Sequence, residues 1–470
     1  MALSQNLGYP RVGAKRELKK ANEGFWTGKV SQAELLKTAS DLRAAHWNEQ
    51  KAAGIDLIPS NDFSFYDHVL DTSVLVGAVP ARYHWDGNNV SLETYFAMAR
   101  GSQTKNLDVP AMEMTKWFDT NYHYIVPEFT KSQVFKISST KPFDEFNEAK
   151  ALGIKTKPVL VGPVSYLLLG KEKEAGFSRL SLLDKLLPVY AEILKKLADL
   201  GAEWVQFDEP MLALDRTDEE RKAFAKAYET LRNAAPNVKL LVATYFDSLR
   251  DNLATAANLP VDALHVDLVR APQQLDEVLN AVAGGKKLLS LGVVDGRNIW
   301  KNDYEASLAL IEKAAAKLGK DRIIVAPSSS MLHTPFDLDF ETKLDSELKS
   351  WMAFAKQKLG EISVLAKATN GGKDSVKAEL DVNRKAMESR RTSAKIHNPK
   401  VKARVAAVTS ADAQRQSPFA ARATKQHAKL NIPGFPTTTI GSFPQTTDVR
   451  SWRAKLKKGE WTEAQYEDQV

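Results

Sequence analysis

Cysteine is absent from this 470-residue chain. That removes disulfides, thiolate nucleophiles and every cysteine-containing zinc site. Long apolar runs are missing too, since no window approaches about 18 uncharged apolar residues. The opening MALSQNLGYPRVGAKRELKK lacks the apolar stretch of a secretory leader. The expected setting is therefore the cytoplasm, with no membrane partner. No glycine-rich phosphate fingerprint opens a helix-like segment, which argues against a dinucleotide fold. The eight histidines show no H-x-C or H-x-x-x-H spacing, so no metal site is expected within the chain.

What is present is a globular composition, 43% hydrophobic with 9% aromatics, enough for a sizeable core. The length calls for two domains, or one large barrel with additions. The net charge of +7 is modest but unevenly placed. Between Asp381 and Leu430, Lys and Arg far outnumber three acidic residues, and Phe419 is the only aromatic. A nucleic-acid surface would interleave aromatics there, so a solvated helical connector is the preferred reading and no nucleic-acid partner is expected.

Apolar, β-rich runs recur along the chain, each followed by a segment of helical period. They are GIDLIPS, KPVLVGPV, AEWVQFDEP, KLLVATYF, ALHVDLV, KLLSLGVVDG and RIIVAPSSS, to which NLGYP near the amino terminus adds another. About eight βα units predict an α/β (β/α)8 TIM barrel, with a doubly wound open sheet as the alternative. Polar residues gather where the strands should end, among them Asn61, Asp62, Asp208, Glu209, Asp267, Asp295, Arg297 and His333.

The chain also resembles itself. LGYPRVGAKREL near the start is echoed by IGSFPQTTDVRSW near the end, and TGKVSQAEL by KGEWTEAQY. Both matches lie about 430 residues apart, which reads as a duplication. The expectation is one complete barrel over 1–380, a basic helical connector over 381–430, and over 431–470 the first strand and helix of a truncated second barrel. TTTI, residues 437–440, would be that strand.

Four constellations could carry chemistry. Lys15 and Lys19, i and i+4 on one predicted helix face with Arg11 and Arg16 nearby, suit a ligand with several carboxylates; a solvated charged face is the plain alternative. Asp208 and Glu209 at a strand end could do acid/base work, or cap and pair structurally. His265 and His333 lack a metal-ligand pattern. In EMTKWFDTNYHY, Lys116 and Asn121 stand among aromatics that could hold a flat heterocycle or simply pack.

Taken together, LGYPRVGAKRELKKA, HWNEQKAAGIDLIPSNDFSFYDHVL, MTKWFDTNYHY, WVQFDEP, LHVDLV and TTTIGSFPQTT resemble the cobalamin-independent methionine synthases. That resemblance spans the chain. It implies two (β/α)8 barrels and transfer of a methyl group from 5-methyltetrahydropteroyltri-L-glutamate to L-homocysteine, giving L-methionine without cobalamin. It also implies zinc in the full-length enzyme, held by a histidine, two cysteines and a glutamate of a missing carboxy-terminal barrel. Those ligands would lie beyond position 470, leaving this chain monomeric and inactive alone. By the same resemblance, Lys15, Arg16, Lys19, Lys116 and Asn121 would bind the folate tail, and Ile440, Gly441 and Ser442 homocysteine or methionine. Two other readings stand beside it: a non-catalytic barrel that holds polyglutamylated folate as a scaffold, and a barrel hydrolase or lyase using Asp208 and Glu209.

Overall fold

The computed structural model describes residues 1–105, 107–438, 441 and 445–470. Eight strands form one all-parallel sheet: Leu3–Ser4 (β1), Ile58–Ser60 (β2), Thr156–Val161 (β3), Trp204–Asp208 (β4), Lys239–Ala243 (β5), Ala263–Asp267 (β6), Leu288–Val294 (β7) and Ile323–Pro327 (β8). Neighbours in the sheet are neighbours in the chain, and β1 pairs with β8 through Leu3 and Ile324. The ring is completed by a parallel bridge between Gln5 and Leu57, where the Leu57 N–H donates to the Ser4 carbonyl at 3.0 Å. This is a closed α/β barrel, and the open doubly wound sheet is excluded.

Seven of the expected strands appear, since they are buried on both faces and read as near-continuous apolar runs; the first strand instead lies at Leu3–Ser4, ahead of NLGYP, whose residues 6–10 are coil beyond it. The outward residues Val205 and Phe207 are fully buried, and Phe207 packs edge-on to Tyr228 of helix Asp218–Ala234 at 5.8 Å. The helices are equally explicit. In Leu183–Asp199, Leu186, Tyr190, Ile193, Leu194 and Leu197 are buried at helical spacing. Each such side chain contributes roughly 1.5–3 kcal/mol of burial. Helices Gln32–Ala52 and Asp218–Ala234 both begin with reciprocal capping boxes, Ser31 with Glu34 and Thr217 with Glu220.

Inward positions carry an unexpected polar layer. The Lys157 ammonium on β3 donates to Gln5 Oε1 at 3.1 Å, to the Asn6 carbonyl at 3.2 Å and to Gln206 Oε1 on β4. Those three acceptors match its three donors. The Gln206 amide donates in turn to Asp208 Oδ1 at 2.6 Å, and the Tyr245 hydroxyl to Asp208 Oδ2 at 3.0 Å. Burial pulls the Lys157 amine down to about 7, opposed by the charges of Asp208 and Asp62.

The chain divides into two compact units, Met1–Ser393 and Ala394–Val470. The boundary expected at 380/381 thus falls inside helix Lys377–Thr392. Leu380, Asn383 and Ala386 of that helix are buried, and Asn383 donates to the Asn302 carbonyl at 2.7 Å. Most of its basic residues are exposed, so composition hid a docked helix. The second unit has helices Pro399–Ala406, Phe419–Leu430, Thr447–Lys457 and Glu463–Gln469, and none of its described residues is buried. The strand expected over 437–440 is not seen at Thr437 and Thr438, which are exposed coil; residues 439 and 440 lie outside the described residues.

Two outcomes follow from this packing. A β-carbon on Gly162 would stand 2.0 Å from Glu209 Oε1, inside a fully buried contact. Gly162→Ala should therefore cost about 1–3 kcal/mol, read as a lower urea midpoint at unchanged slope. For Lys157, the unfolded amine titrates near 10.5 and the folded one near 7. The unfolded chain then holds more protons between those values, so stability rises with pH there, by at most about 1.4 kcal/mol per pH unit. The stability difference between the unsubstituted chain and Lys157→Met should widen from pH 7 to 9; a flat difference would contradict the shifted amine.

Candidate functional site

Chemistry in a closed barrel belongs at the carboxy-terminal ends of its strands. Here that mouth is largely filled. A cavity of about 50 Å³ remains, lined by Asp62, His68, Trp117, Asp208, Tyr245 and His333 among others, enough for a few waters at most. Its histidines are neutral: burial lowers His68 to about 3 and His333 to about 4. His265, deeper in the barrel, meets Ser290 Oγ at 2.8 Å and the Ser328 carbonyl at 3.2 Å, and burial lowers it to about 3.

Asp208 and Glu209 do not form a working pair. Asp208 points inward to Gln206 and Tyr245. The Glu209 carboxylate points outward, accepting the Ser165 N–H and the Tyr228 hydroxyl, each at 2.9 Å. Burial raises Asp208 to about 6 and Glu209 to about 7. Both are consumed by internal contacts, and the backbone between them sends them to opposite faces of β4, as strand periodicity requires.

The mouth is covered by an antiparallel hairpin, Met114–Lys116 with His123–Ile125, from the long segment between β2 and β3. Its base is held by Asp67, whose Oδ2 accepts the Ile125 N–H at 3.0 Å. Trp117 is buried beneath it against His68, centroids 4.5 Å apart, and Phe118 packs on Phe246 at 5.5 Å. At the tip, Asp119 meets Arg270 beyond β6 and Arg297 beyond β7, both at 2.8 Å.

Lys116 and Asn121 are exposed on either side of that tip, with Lys116 opposite His123 in the register. The amino-terminal loop reaches the same hairpin through Arg11. Its guanidinium donates to the Ser64 carbonyl at 2.7 Å and lies 5.7 Å from the centre of the Tyr122 ring. Lys15 and Arg16 follow in that loop, both exposed. The helix expected to carry Lys15 starts only at Glu17, because Arg16 is left-handed at φ 60, ψ 40 and the Lys15 N–H is taken by the Glu17 carboxylate at 2.9 Å. Lys15 and Lys19 therefore do not share a helix face. Lys19 is on the helix, 3.7 Å from Glu23. Of the second predicted set, Gly441 is exposed at φ 139 with open space around it, while Ile440 and Ser442 lie outside the described residues.

Sequence reasoning noted Arg297 but missed Asp119 and Arg270. A signal was available: DLVR after β6 and DGR after β7 each place an arginine just past a strand-end aspartate. Among the described residues no cluster of three or more histidines or carboxylates is set to hold a metal, so these residues do not fit the zinc site the resemblance implies for the full-length enzyme. No helix among them is long and apolar enough to cross a membrane.

Comparison with known proteins bears on this arrangement. The chain is 58% identical over 474 residues to the 5-methyltetrahydropteroyltriglutamate–homocysteine methyltransferase of Flavobacterium johnsoniae, covering 99% of this chain and 61% of that protein. It is 54% identical to the same-named protein of Caulobacter vibrioides, covering 98% and 61%. It thus spans about 61% of the length of these curated relatives. Among solved structures, a putative vitamin-B12-independent methionine synthase from Listeria monocytogenes aligns with a TM-score of 0.52 at 14% identity, over 79% of this chain and 98% of the other, which supports the fold. The model of the cobalamin-independent synthase amino-terminal domain matches residues 3–319, and that of the family's catalytic domain matches residues 435–470. With the first match alone covering most of its length, the chain belongs to the cobalamin-independent synthase family.

Proposed function

We propose that the whole protein transfers the methyl group of 5-methyltetrahydropteroyltriglutamate to homocysteine, forming methionine in the cytoplasm, and that this chain supplies the barrel that grips the folate's glutamyl tail. The observation that carries the reading is a division within the barrel. Its mouth is largely filled, while exposed cations stand on the amino-terminal loop and on the hairpin, two segments that meet through Arg11 and Tyr122. A tail with several carboxylates suits separated surface cations better than a deep pocket. The names of the relatives supply the substrates.

In this reading Lys15, Arg16, Lys19 and Lys116 bind carboxylates, and Asn121 hydrogen-bonds the tail. Ile440, Gly441 and Ser442 contact homocysteine or methionine. The chain has no cysteine and its Asp208 and Glu209 are turned apart, so neither thiolate chemistry nor a carboxylate-pair hydrolase has residues to work with. The 470 residues by themselves are expected not to form methionine.

Calorimetry on this chain tests the tail site. Triglutamyl methylfolate should bind more tightly than the monoglutamyl form, and the preference should shrink as salt is raised. Lys116→Ala should weaken the triglutamate by about two- to five-fold, as expected for one exposed ion pair. Equal affinity for both forms at low salt would defeat the reading.

A further inference from the structure

Asp119 occupies an unusual position for an exposed carboxylate. Its two oxygens meet different arginines, Oδ1 the Arg297 guanidinium and Oδ2 that of Arg270, both at 2.8 Å. Arg297 also donates to the Asp119 main-chain carbonyl at 3.2 Å, so it holds the backbone of the tip as well as its side chain. Arg297 is itself fixed, only 16% exposed and stacked over Phe246 at 4.7 Å. Burial opposes the charge on Asp119, but the hydrogen bond and charge of Arg297, with Arg270 adding to them, keep its carboxyl below the usual range.

The tip being held is strained. Phe118, next to Asp119, is left-handed at φ 53, which costs an ordinary residue about 1–2 kcal/mol. That conformation persists only where the surroundings over-determine it. Here the clamp acts on one side and, on the other, Thr120 donates to the Trp117 carbonyl at 2.7 Å. Lys116 and Asn121 flank this turn.

We propose that Asp119, gripped by Arg270 and Arg297, is a positioning residue that sets the tip bearing Lys116 and Asn121, and so the protein's preference for a polyglutamyl tail. The inference rests on the tail-binding reading above. It ties the hairpin to the ends of β6 and β7, so tail affinity depends on barrel residues that need not touch the ligand.

Asp119→Asn separates positioning from simple charge, because the two differ in sign. Removing a negative charge leaves both guanidinium charges uncompensated, which by itself would draw a polyanion more strongly. Loosening the tip would instead weaken binding. In calorimetry at low salt, we expect Asp119→Asn to lose about five-fold in triglutamate affinity with little change for the monoglutamate, and Asp119→Glu to recover part of it. Arg270→Gln, which keeps the Arg297 pair, should lose less in the same direction. Thermal melting of each variant checks folding; the exposed carboxylate should shift it little. If the unsubstituted chain prefers triglutamate and Asp119→Asn keeps or strengthens that preference, the clamp is overturned while the tail site stands, whatever Arg270→Gln does, because losing a cation weakens polyanion binding by itself. If the unsubstituted chain shows no preference, the tail site fails and the clamp's role with it.

Discussion

An ammonium inside a barrel is the constraint from which much of this structure follows. Lys157 cannot be dehydrated at ordinary cost unless each donor finds an acceptor and compensating charge lies near. The acceptors are Gln5 and Asn6, just past β1, and Gln206 of β4, on either side of β3, and the compensating charge comes from Asp208 and Asp62. Satisfying that one group therefore draws the very short first strand into place across from the fourth. It also ties Asp208 into the interior, through Gln206, where it is no longer free for acid/base work.

A barrel whose inward residues are committed to one another has little room to host a reaction at its centre, and the mouth confirms it geometrically. In the proposed reading function lies at the rim, which is where the long segment between β2 and β3 contributes most. That segment supplies the hairpin, whose base is fixed by Asp67 and whose tip is fixed by two arginines from strands much later in the chain. The aromatic residues of the hairpin close the mouth from above, leaving its polar side chains on the outer surface. The same hairpin thus seals the barrel and presents the cations.

What could be read from the sequence divides by the range of the interactions involved. Strands buried on both faces announce themselves as apolar runs, and seven of the eight were legible; the first, only Leu3–Ser4, is too short to show as one and was expected a few residues later, at NLGYP. Lys157 was hidden in plain sight at the head of KPVLVGPV, because its partners Gln5 and Gln206 are set by ring closure and not by local pattern. The clamp was hidden for the same reason: Asp119 meets residues 151 and 178 positions away. The helix start was misplaced by a local effect no propensity reveals, a left-handed Arg16 with Glu17 capping the turn before it. Residues 381–392 of the docked helix were read as connector because the helix's few buried residues are outweighed by its charged ones.

Several rim cations already have partners, and this bears on how such a surface can discriminate by tail length. Lys19 has Glu23 beside it, and Arg270 and Arg297 share Asp119. A single carboxylate arriving here exchanges one solvated ion pair for another, and exposed pairs are worth little. Successive carboxylates on one tether differ, because once the first is held the next arrives at high effective concentration. Length discrimination of this kind requires cations at fixed spacing more than it requires strong ones. A strained, doubly anchored hairpin beside a loop pinned by Arg11 is a way to fix that spacing on otherwise mobile surface elements.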